Sequence, residues 1–575
     1  MSSKNEVART LDQIAACLEL KGENAFRVRA YQTAARAVAG FADDLAEATT
    51  DGKLAELKGI GPATLQIVLE VLATGRSTVL DKLRQEIPAG LVDMMQISGL
   101  GVAKIRQIHE SLEITTLSAL EEAARDGRLA SLRRFGPKMA QKVLRSLQFL
   151  KHTAEFRLFH HARAEAQALL PALKELSGVN RAEIVGGIRR RRELIENMEF
   201  LVELDGPWDQ VAGQLDSLVD VTEFTSETEG MVTIKFAGGS VASLRASRPD
   251  DFGFHMVQTT GSSEHLDALA RRAETLGLSW TDSGITSNRA KIPGATEEEV
   301  YAALELQWIP PELREGQGEI DAAAEHKLPR LVEAADLRGF LHCHSNYSDG
   351  TSTVRDWAVA AQQAGYEYVG ITDHSEAARY AGGLFRDKIQ DQHDEIDRAN
   401  AEVDDVTVLK GIELDILQDG SLDYTPEIRS SFDFVIASLH SGYGQDRDAM
   451  TKRILRAMDD PNMVIFGHPS GRLLLSRDPY PMDFDAVFDK AAERGIAIEI
   501  NADPQRLDLD WRLVRHAISK GVTISIGADA HNVSGMTNMD LGIGIARKGW
   551  LSPSEVLNAC PLDEFMQHVA QRRAN

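Results

Sequence analysis

Seven short apolar runs recur between residues 337 and 575, and a stretch with helical periodicity follows each of them. The runs are GFLHCH, YEYVGITDH, VTVLKGIEL, FDFVIASLH, MVIFGHP, IAIEINA and VTISIGADAH. Nearly continuous apolar runs are typical of strands in a parallel sheet that is covered on both faces. The alternation of such strands with helices favours a closed barrel. The sequence therefore predicts a parallel (β/α) barrel over residues 337–575.

Histidine and carboxylate side chains stand at or just after the carboxyl ends of most of these runs. They are His342, His344, Asp349, His374, Glu413, His440, His468, Asp529 and His531. A barrel gathers the carboxyl ends of its strands around one mouth, so we expect these side chains to converge. One cation takes about four to six donors, and nitrogen and oxygen donors suit Zn²⁺, Mn²⁺ or Fe. A lone histidine at a strand end is more often structural, but this set predicts a site for two or three ions.

The spacing of the first two histidines also predicts which side chain is left out of the site. Side chains alternate along a strand, so His342 and His344 share one face and Cys343 points to the other. The chain has three cysteines, Cys17, Cys343 and Cys560, and they form no close pair. Disulfide scaffolds and cysteine-based zinc sites are therefore not expected, and the cysteine usage is typical of a cytoplasmic protein.

The hydropathy pattern argues against membrane and secreted proteins. No apolar run reaches the roughly 18 residues that a membrane-spanning helix needs. The first thirty residues carry charges at Lys4, Glu6, Arg9 and Asp12, which a secretory leader would lack. We therefore expect no membrane partner and a cytoplasmic location.

Residues 1–150 show helical periodicity throughout and contain three loops of one kind, at 57–62, 97–102 and 134–138. In each loop glycine stands between apolar residues and a helix follows. Glycine lets the backbone approach a phosphate closely, and the start of a helix offers free N–H groups. The candidate DNA-binding residues are Gly59, Gly61, Gly99, Gly101, Gly136 and Lys138. One such loop could be an ordinary helix corner, but three predict helix-hairpin-helix contacts with the DNA backbone.

Charge is distributed unevenly along the chain. The net charge is −24, but residues 1–150 carry a net charge of +2 and the remainder carries the whole negative excess. An acidic surface repels polyanions, so we expect a nucleic acid to be held by the first 150 residues. The acidic surroundings also predict modest affinity with a strong dependence on salt.

The middle of the chain has the pattern of a small mixed sheet followed by helices. Residues 180–260 contain the short β-type runs AEIVGGI, EFLVEL, MVTIKFA and SVASLRA, separated by polar turns. Residues 261–316 return to helical periodicity and end in a Pro/Gly-rich stretch that is typical of a domain boundary. The chain is therefore predicted to be a multidomain protein of the α+β and α/β classes.

The barrel motifs HCHSNYSDG, ITDHS, GIELD, ASLH, GHPSGRLL, NADPQRLDLDW and GADAHN resemble the PHP (polymerase and histidinol phosphatase) family along its whole length. The resemblance implies a distorted (β/α)₇ barrel with a trinuclear phosphoesterase site that hydrolyses a phosphate ester. The implied ligand sets are His342, His344, Glu413 and Asp529, which would also carry the catalysis; Glu413, His440 and His468; and Asp349, His374 and His531. All nine positions are filled in this sequence.

The remainder of the chain resembles the bacterial family X DNA polymerases that carry a C-terminal PHP domain. The matching stretches are GENAFRVRAYQTAARAV (22–38), GGIRRRRELIENMEFLV (186–202), TTGSSEHLDAL (259–269) and IPPELREGQGEI (309–320). The resemblance implies a lyase-like helix-hairpin-helix domain at 1–92, a fingers-like helix-hairpin-helix domain at 93–150, a nucleotidyltransferase-like palm at 151–257, a thumb at 258–318, a linker at 319–336 and the PHP domain at 337–575.

Several positions depart from the pattern of this family. Its three catalytic aspartates, from Gly-Asp-x-Asp and Asp-Leu-Arg, are here Asn197, Glu199 and Ser243. Two Mg²⁺ ions at close range need clustered carboxylates, so Mg²⁺ at the palm is in doubt and we expect a palm that is defective in polymerisation. The lysine that would form a Schiff base is here Ile67, which cannot form an imine.

A run of four arginines follows a Gly-Gly pair at the start of the palm motif. The resemblance implies that Gly186, Gly187, Arg189 and Arg190 bind nucleotide or DNA phosphate. The alternative is that the four arginines are solvated on the surface, as runs of charged residues more often are.

These features together favour a DNA repair protein that acts as a metal-dependent 3′–5′ exonuclease through its PHP domain. Its DNA partner would have gapped, nicked or single-stranded 3′ ends, and the resemblance implies base excision repair at the nucleoid, with cleavage of 3′ abasic ends as a related activity. The alternatives are an active gap-filling polymerase with an attached nuclease, a phosphatase of the histidinol-phosphate type, and a non-catalytic DNA-binding scaffold.

Overall fold

The computed structural model describes residues 4–39, 45, 54, 59–97, 99–153, 155–204, 206–215, 218, 221–228, 230–288 and 290–574. The chain divides into two compact units, residues 1–155 and 156–575. Within the described ranges, no helix combines the length and the apolar character that crossing a membrane requires.

The first unit is helical over its described residues, as the periodicity predicts. Its helices are α1 (Lys4–Lys21), α2 (Ala25–Ala39), α3 (Pro62–Thr74), α4 (Thr78–Glu86), α5 (Ala89–Asp93), α6 (Val102–Leu112), α7 (Leu117–Arg125), α8 (Arg128–Ser131) and α9 (Gly136–Thr153). Apolar residues spaced three or four apart, such as Leu11, Ile14 and Leu18 of α1, are buried in one shared core.

The second unit begins with a five-stranded mixed sheet of strand order β2-β4-β7-β6-β5. Its elements are β1 (Arg157–Leu158), α10 (Phe159–Lys174), β2 (Val179–Ile184), α11 (Gly186–Arg189), β3 (Leu194–Ile195), β4 (Met198–Leu204), α12 (Trp208–Ala212), β5 (Val221–Thr228), β6 (Met231–Phe236) and β7 (Val241–Ser247). The parallel pairing of β4 with β7 places Glu199 directly opposite Ser243. The mixed sheet that the β-type runs predict is therefore present.

The region after this sheet contains strands that the helical prediction for 261–316 missed. Its elements are α13 (Phe252–Thr260), α14 (Ser263–Thr275), β8 (Ser279–Thr281), β9 (Gly284–Ser287), β10 (Ala290–Lys291), α15 (Glu297–Ala303) and α16 (Glu319–Ala324). The three strands form an antiparallel sheet. They are two to four residues long and largely polar, so they show almost none of the apolar–polar alternation that predicts a strand.

The described residues 337–574 form a closed barrel of seven parallel strands, which confirms the prediction from the apolar runs. The strands are β11 (Gly339–Cys343), β12 (Tyr368–Ile371), β13 (Thr407–Asp415), β14 (Phe434–Ser438), β15 (Met463–Phe466), β16 (Ala497–Asn501) and β17 (Ile524–Ala530). The helices are α17 (Val354–Ala364), α18 (Ile389–Glu402), α19 (Pro426–Arg429), α20 (Arg447–Ala457), α21 (Phe484–Arg494), α22 (Trp511–Ser519), α23 (Met539–Lys548) and α24 (Leu562–Ala574).

Capping side chains fix where several barrel helices begin. Thr353, Asp446, Asp483 and Asp510 each accept a hydrogen bond from a backbone amide in the first turn of α17, α20, α21 and α22. Helix α17 ends at Gly365, which adopts the left-handed conformation that glycine favours. These signals fix the lengths of the loops before the helices, and the parallel direction of the strands places the metal-site candidates at one end of the barrel.

The segment predicted as a linker, residues 319–336, is instead an integral part of the second unit. Ile320 is buried in the thumb core, and Val332 is buried in the core that the palm and barrel share. Glu319 is fully buried and lies 2.6 Å from His265 Nδ1, which anchors α16 to α14. Its partner lies 54 residues earlier in the chain, so no local sequence pattern could predict this contact.

Buried polar contacts join the palm and thumb to the barrel. Lys548, at the end of α23, is 1% exposed and donates a hydrogen bond to the carboxylate of Glu315. Trp511 and Arg512, at the start of α22, donate hydrogen bonds to the carboxylate of Glu193 over 3.2 and 2.7 Å. Burial opposes ionisation of Glu193, but Arg512 lowers the pKa of this carboxyl below its usual range. The palm, the thumb and the barrel therefore share buried charges.

Candidate metal centre and palm site

The barrel mouth brings together all nine side chains that the sequence predicts there. Among the described residues, three overlapping groups have ligand atoms within 4.8 Å of one another. These groups are His342, His344 and Asp529; His374, Glu413 and His440; and His344, Asp349, His374 and His531. The ninth residue, His468, places Nε2 3.0 Å from Glu413 Oε1. Compared with the implied ligand sets, His374 also lies beside Glu413, and His344 also faces the group of Asp349.

Glu413 lies at the centre of this cluster and is fully buried. Its Oε1 atom is 3.5 Å from His342 Nε2 and 3.3 Å from His440 Nε2. Its Oε2 atom is 2.7 Å from His374 Nδ1. Burial alone would raise the pKa of Glu413, but His440, His374 and His342 hold it well below its usual range. The position between several imidazoles is the one that a bridging carboxylate needs.

Unpartnered polar atoms indicate that the cluster fits cations. Among the described residues, the buried atoms of the cluster without a hydrogen-bond partner include His342 Nε2, His344 Nδ1 and His468 Nδ1. A buried polar atom without a partner costs free energy, so native structures rarely leave several together. Imidazole nitrogens and carboxylate oxygens are donors that suit Zn²⁺, Mn²⁺ or Fe, and no thiol takes part. The donor set therefore fits divalent metal ions.

Glu499 contacts two of these histidines, and it is not among the site residues that the sequence predicts. His342 Nδ1 lies 2.5 Å from Glu499 Oε1, which leaves Nε2 of the same ring facing Glu413 and Asp529. The Oε2 atom of Glu499 accepts the backbone amide of His468 over 2.7 Å. A carboxylate that holds the second nitrogen of a metal-binding imidazole fixes its tautomer and direction. The available signal was a charged residue inside the apolar run IAIEINA.

Asp373 is a second missed residue and positions the loop that follows β11. It is fully buried and accepts hydrogen bonds from Ser345 N, Ser345 Oγ and Ser348 Oγ. These contacts hold the loop that delivers Asp349 to the cluster. Cys343, by contrast, is buried in the core with Sγ 3.3 Å from Gly370 O, as its strand parity predicts.

Three candidate metal ligands have left-handed backbone conformations, which are uncommon outside glycine. The φ angles are 68° at His342, 26° at His468 and 51° at Asp529. Such conformations cost free energy and concentrate at functional sites, where the surrounding structure imposes them. The barrel therefore directs these three side chains inward at a conformational cost.

Arg506 contributes a positive charge beside the cluster. Its Nε atom lies 3.7 Å from Asp529 Oδ2, and its buried Nη1 atom finds no hydrogen-bond partner in the described part of the chain. Burial opposes the charge, but Asp529, Asp503 and Asp508 raise the pKa of the guanidinium, so it stays cationic. A fixed cation with an unused donor is suited to an anionic oxygen.

In the palm, the structure places Asn197 immediately before β4 and pairs Glu199 with Ser243 across β4 and β7. The Glu199 carboxylate turns toward the Gly-Gly pair and accepts the amide of Gly187 over 3.1 Å. A Cβ atom on Gly186 would lie 1.5 Å from Glu199 Oε2. Burial raises the pKa of Glu199. Within the described residues, the groups able to hold a metal lie in the barrel and not in the palm.

The two arginines predicted to bind phosphate are engaged in ion pairs. Arg189 makes a bidentate contact with Glu297 over 2.7 and 2.8 Å. Arg190 is buried and donates to Glu315 over 2.9 Å. These contacts join the palm to the thumb, and they lie more than 100 residues apart in the chain. Beside them is a cavity of about 660 Å³ whose lining includes Glu199, Arg192, Arg245 and Arg512.

Three of the glycines in the predicted DNA-binding loops have left-handed backbone conformations; positions 57, 58 and 98 of these loops lie outside the described residues. Gly59, Gly99 and Gly136 have φ angles of 106°, 88° and 62°. Gly61 and Gly101 precede the first residues of α3 and α6, and no described residue places an atom within 4 Å of a Cβ built on either. These backbone segments are therefore open to a ligand.

The other two positions singled out in the first unit, Lys138 and Ile67, differ in exposure. Lys138 is exposed in the first turn of α9. Ile67 is 3% exposed and packs in the core of the unit.

Family models match four parts of the chain. They describe a helix-hairpin-helix domain at residues 2–77, a SAM-like helix-hairpin-helix tandem at 91–148, a DNA polymerase beta thumb at 255–315 and a PHP domain at 341–503. Together with the seven-stranded barrel, these matches define a class of protein that joins polymerase-type DNA-binding domains to a PHP domain.

Curated relatives identify the family. The chain is 33% identical over 567 residues to the DNA polymerase/3′-5′ exonuclease PolX of Bacillus subtilis, and the alignment covers 98% of each protein. The chain therefore belongs to the family X DNA polymerases with a C-terminal PHP domain. The chain is also 30% identical to a probable phosphatase of Clostridium acetobutylicum over 213 residues, 35% of this chain and 81% of that protein. A probable phosphatase of Escherichia coli is 28% identical over 234 residues, 38% of this chain and 89% of that protein.

Proposed function

We propose that this protein is a metal-dependent 3′–5′ exonuclease in DNA repair, with a palm that no longer polymerises. The observation that carries the proposal is the contrast between its two candidate sites. The barrel mouth gathers nine nitrogen and oxygen donors around Glu413, whereas the described palm residues offer no such group. The name of the Bacillus subtilis relative includes 3′-5′ exonuclease, which supports this assignment.

The metal centre would hold two or three ions of Zn²⁺, Mn²⁺ or Fe on the nine donors. Glu413 would bridge, and His342, His344 and Asp529 would complete the catalytic ion's ligands. When bound, such ions lower the pKa of a coordinated water from about 16 to about 7 and so supply hydroxide at neutral pH. Arg506 would bind a non-bridging phosphate oxygen through its unused Nη1 donor.

The palm contacts support the loss of polymerisation. Glu199, the remaining anion of the expected three, is turned toward Gly187 instead of standing in a cluster of carboxylates. A two-metal site needs such a cluster of hard anionic oxygens, so Mg²⁺ is not part of the proposal here. Ile67 likewise supplies no amine, so the proposal includes no Schiff-base lyase step.

The proposed DNA partner has a gapped, nicked or single-stranded 3′ end, held by the glycine loops of the first unit. Backbone contacts of this kind position DNA without reading its sequence. This role would place the protein in the cytoplasm, at the nucleoid during base excision repair.

The decisive experiment uses a labelled primer on a one-nucleotide-gapped template with Mn²⁺, with and without dNTPs. It compares the parent with the double variant His342→Ala/His344→Ala. We expect the parent to shorten the primer, the double variant to leave it intact, and neither to extend it. Extension by the double variant would show a working palm, as in the alternative of an active gap-filling polymerase.

A phosphatase of small molecules is the second candidate, because the barrel resembles two probable phosphatases over most of their length. Release of phosphate from phosphomonoesters by the parent, without shortening of single-stranded DNA, would favour that candidate. Activity of neither kind would favour a DNA-binding scaffold.

A further inference from the structure

Tyr380 stands beside the metal centre with its side chain open to solvent. It follows β12 in a single turn of 3-10 helix, Arg379–Ala381, and is 70% exposed. Its ring centroid lies 6.0 Å from that of His374 and 6.1 Å from that of His440. Large aromatic side chains usually lose most of their surface on folding, so an exposed ring at this position calls for an explanation.

The backbone that carries Tyr380 is firmly held, so the exposure of the ring is imposed by the fold. Leu384 N donates to His374 O over 2.7 Å, which closes the loop onto the end of β12. A Cβ atom on Gly383 would stand 1.9 Å from Ser375 O, so the two sides of the loop are in tight contact. Ala378 and Ala381, on either side of Tyr380, are both buried.

The Tyr380 side chain touches the fold through the rings of His374 and His440 and is otherwise without partners among the described residues. Its hydroxyl has no hydrogen-bond partner among the described residues, and the neighbouring Arg379 is exposed and has no ion pair within them. An aromatic face and a cation next to a phosphodiesterase centre are the two elements with which proteins bind single-stranded nucleic acid.

We propose that Tyr380 stacks on the base of the 3′-terminal nucleotide while the metal centre takes its phosphate. The inference rests on the proposed nuclease function and names what the site selects: a nucleotide with a base, as opposed to any phosphate ester. A ring about 6 Å from His374 and His440 lies within the span of one nucleotide between its phosphate and its base. Stacking tolerates every base, so this contact would not add sequence preference.

The test compares two DNA substrates that differ in one base. One oligonucleotide ends in an ordinary 3′ nucleotide and the other ends in a tetrahydrofuran residue with the same backbone and no base. We expect the parent to remove the ordinary nucleotide about tenfold faster at limiting substrate, because stacking contributes about 1–3 kcal/mol per base. Tyr380→Ala should lose this preference by slowing removal of the ordinary nucleotide alone, and Tyr380→Phe should retain it.

A spectroscopic measurement tests the contact without turnover. An oligonucleotide with 2-aminopurine at its 3′ end, joined by a hydrolysis-resistant phosphorothioate linkage, is titrated with the full-length protein in Mn²⁺, and the quenching that accompanies stacking is recorded. We expect quenching with the parent and with Tyr380→Phe, and its loss with Tyr380→Ala. Phe385→Ala, in the same loop and 50% exposed, is the matched control and should behave as the parent does.

The outcomes separate this inference from the proposed function. A parent protein that does not shorten DNA overturns the nuclease proposal and with it the inference. A parent that shortens DNA, but whose preference and quenching survive in Tyr380→Ala, overturns the inference alone. Equal slowing on both substrates in Tyr380→Ala would also overturn it, since a structural defect has that effect.

Discussion

The Glu199 carboxylate accepts a hydrogen bond from the Gly187 amide over 3.1 Å, and it fills the space above Gly186 as well. The side chain at a position where the family pattern has an aspartate thus lies against the backbone that the family resemblance assigns to phosphate. An anionic ligand approaching this Gly-Gly pair would meet a carboxylate before it met an N–H group.

We therefore expect Glu199→Ala to tighten binding of a nucleoside triphosphate to the palm cavity about fivefold. The substitution removes a negative charge and frees an amide donor worth about 1 kcal/mol. Titration with a fluorescent nucleotide analogue, in the absence of DNA, measures the affinity. Glu203→Ala, on the same strand but outside the cavity lining, is the control and should leave the affinity unchanged. Equal affinities for parent and Glu199→Ala would refute this interpretation of the contact.

Glu499→Gln should weaken metal binding without removing a ligand. The carboxylate holds His342 Nδ1 and the His468 amide, and loss of such an orienting partner typically costs about 10- to 100-fold in metal affinity. Competition with a chromophoric chelator measures the affinity, and elemental analysis measures the bound metal. Glu493→Gln, an exposed position on α21, provides the comparison. The prediction fails if both variants retain the metal equally well.

Arg506→Met should lower the turnover number about 100-fold while the metal content stays close to that of the parent. The guanidinium supplies a fixed donor for a phosphate oxygen, and removing one preorganised donor commonly costs about 100- to 1,000-fold. Arg506→Lys keeps the charge but loses the fork of donors, so it should recover part of the rate. Measurement of turnover alongside bound metal distinguishes this role from a structural one, for which the metal would be lost too.

The contact of Glu297 with Arg189 and Arg314 predicts a pH-dependent contribution to stability. Burial opposes ionisation, but the hydrogen bonds from the two arginines lower the pKa of Glu297 to about 2. A carboxyl whose folded pKa is depressed stabilises the fold above its unfolded pKa, and that stability is lost as pH falls toward the folded value. The difference in unfolding free energy between parent and Glu297→Gln should be about 3 kcal/mol at pH 7 and shrink between pH 4.5 and 2.

Calorimetric melting of the two proteins across that range checks the expectation. Glu298→Gln changes the adjacent, exposed carboxyl and should show no comparable dependence on pH. A difference that stayed constant from pH 7 down to 2 would contradict the assignment of the low pKa to Glu297.

The sequence predicted the barrel, and the gathering of the histidine and carboxylate side chains at its mouth, because both are encoded locally. Each strand is an apolar run of its own, and a barrel brings the ends of its strands together whatever lies between them, so His342 and His531 could be placed in one site from their positions alone. The role of Glu499 was not predicted because this residue lies within an apolar run, and apolar neighbours indicate only that the position is buried.

The partners of buried charges could not be predicted in the same way. Arg189 and Arg190 end a recognisable motif, but their carboxylate partners lie 108 and 125 residues further along the chain. Such ion pairs depend on how the domains pack against one another. The periodicity of apolar residues contains no information on that packing. The polar strands β8 to β10 were missed for a related reason, because packing on neighbours rather than intrinsic pattern makes them strands.

The contacts of Lys548 and of Trp511 with palm and thumb carboxylates have a consequence for the barrel as a separate protein. Removing the palm and the thumb together would leave these two barrel side chains without their carboxylate partners and would expose surface that is now inside the molecule. A gene segment that encoded the barrel alone would therefore specify a protein with unpaired buried groups. The barrel and the two domains before it have to be inherited together, whatever chemistry each of them performs.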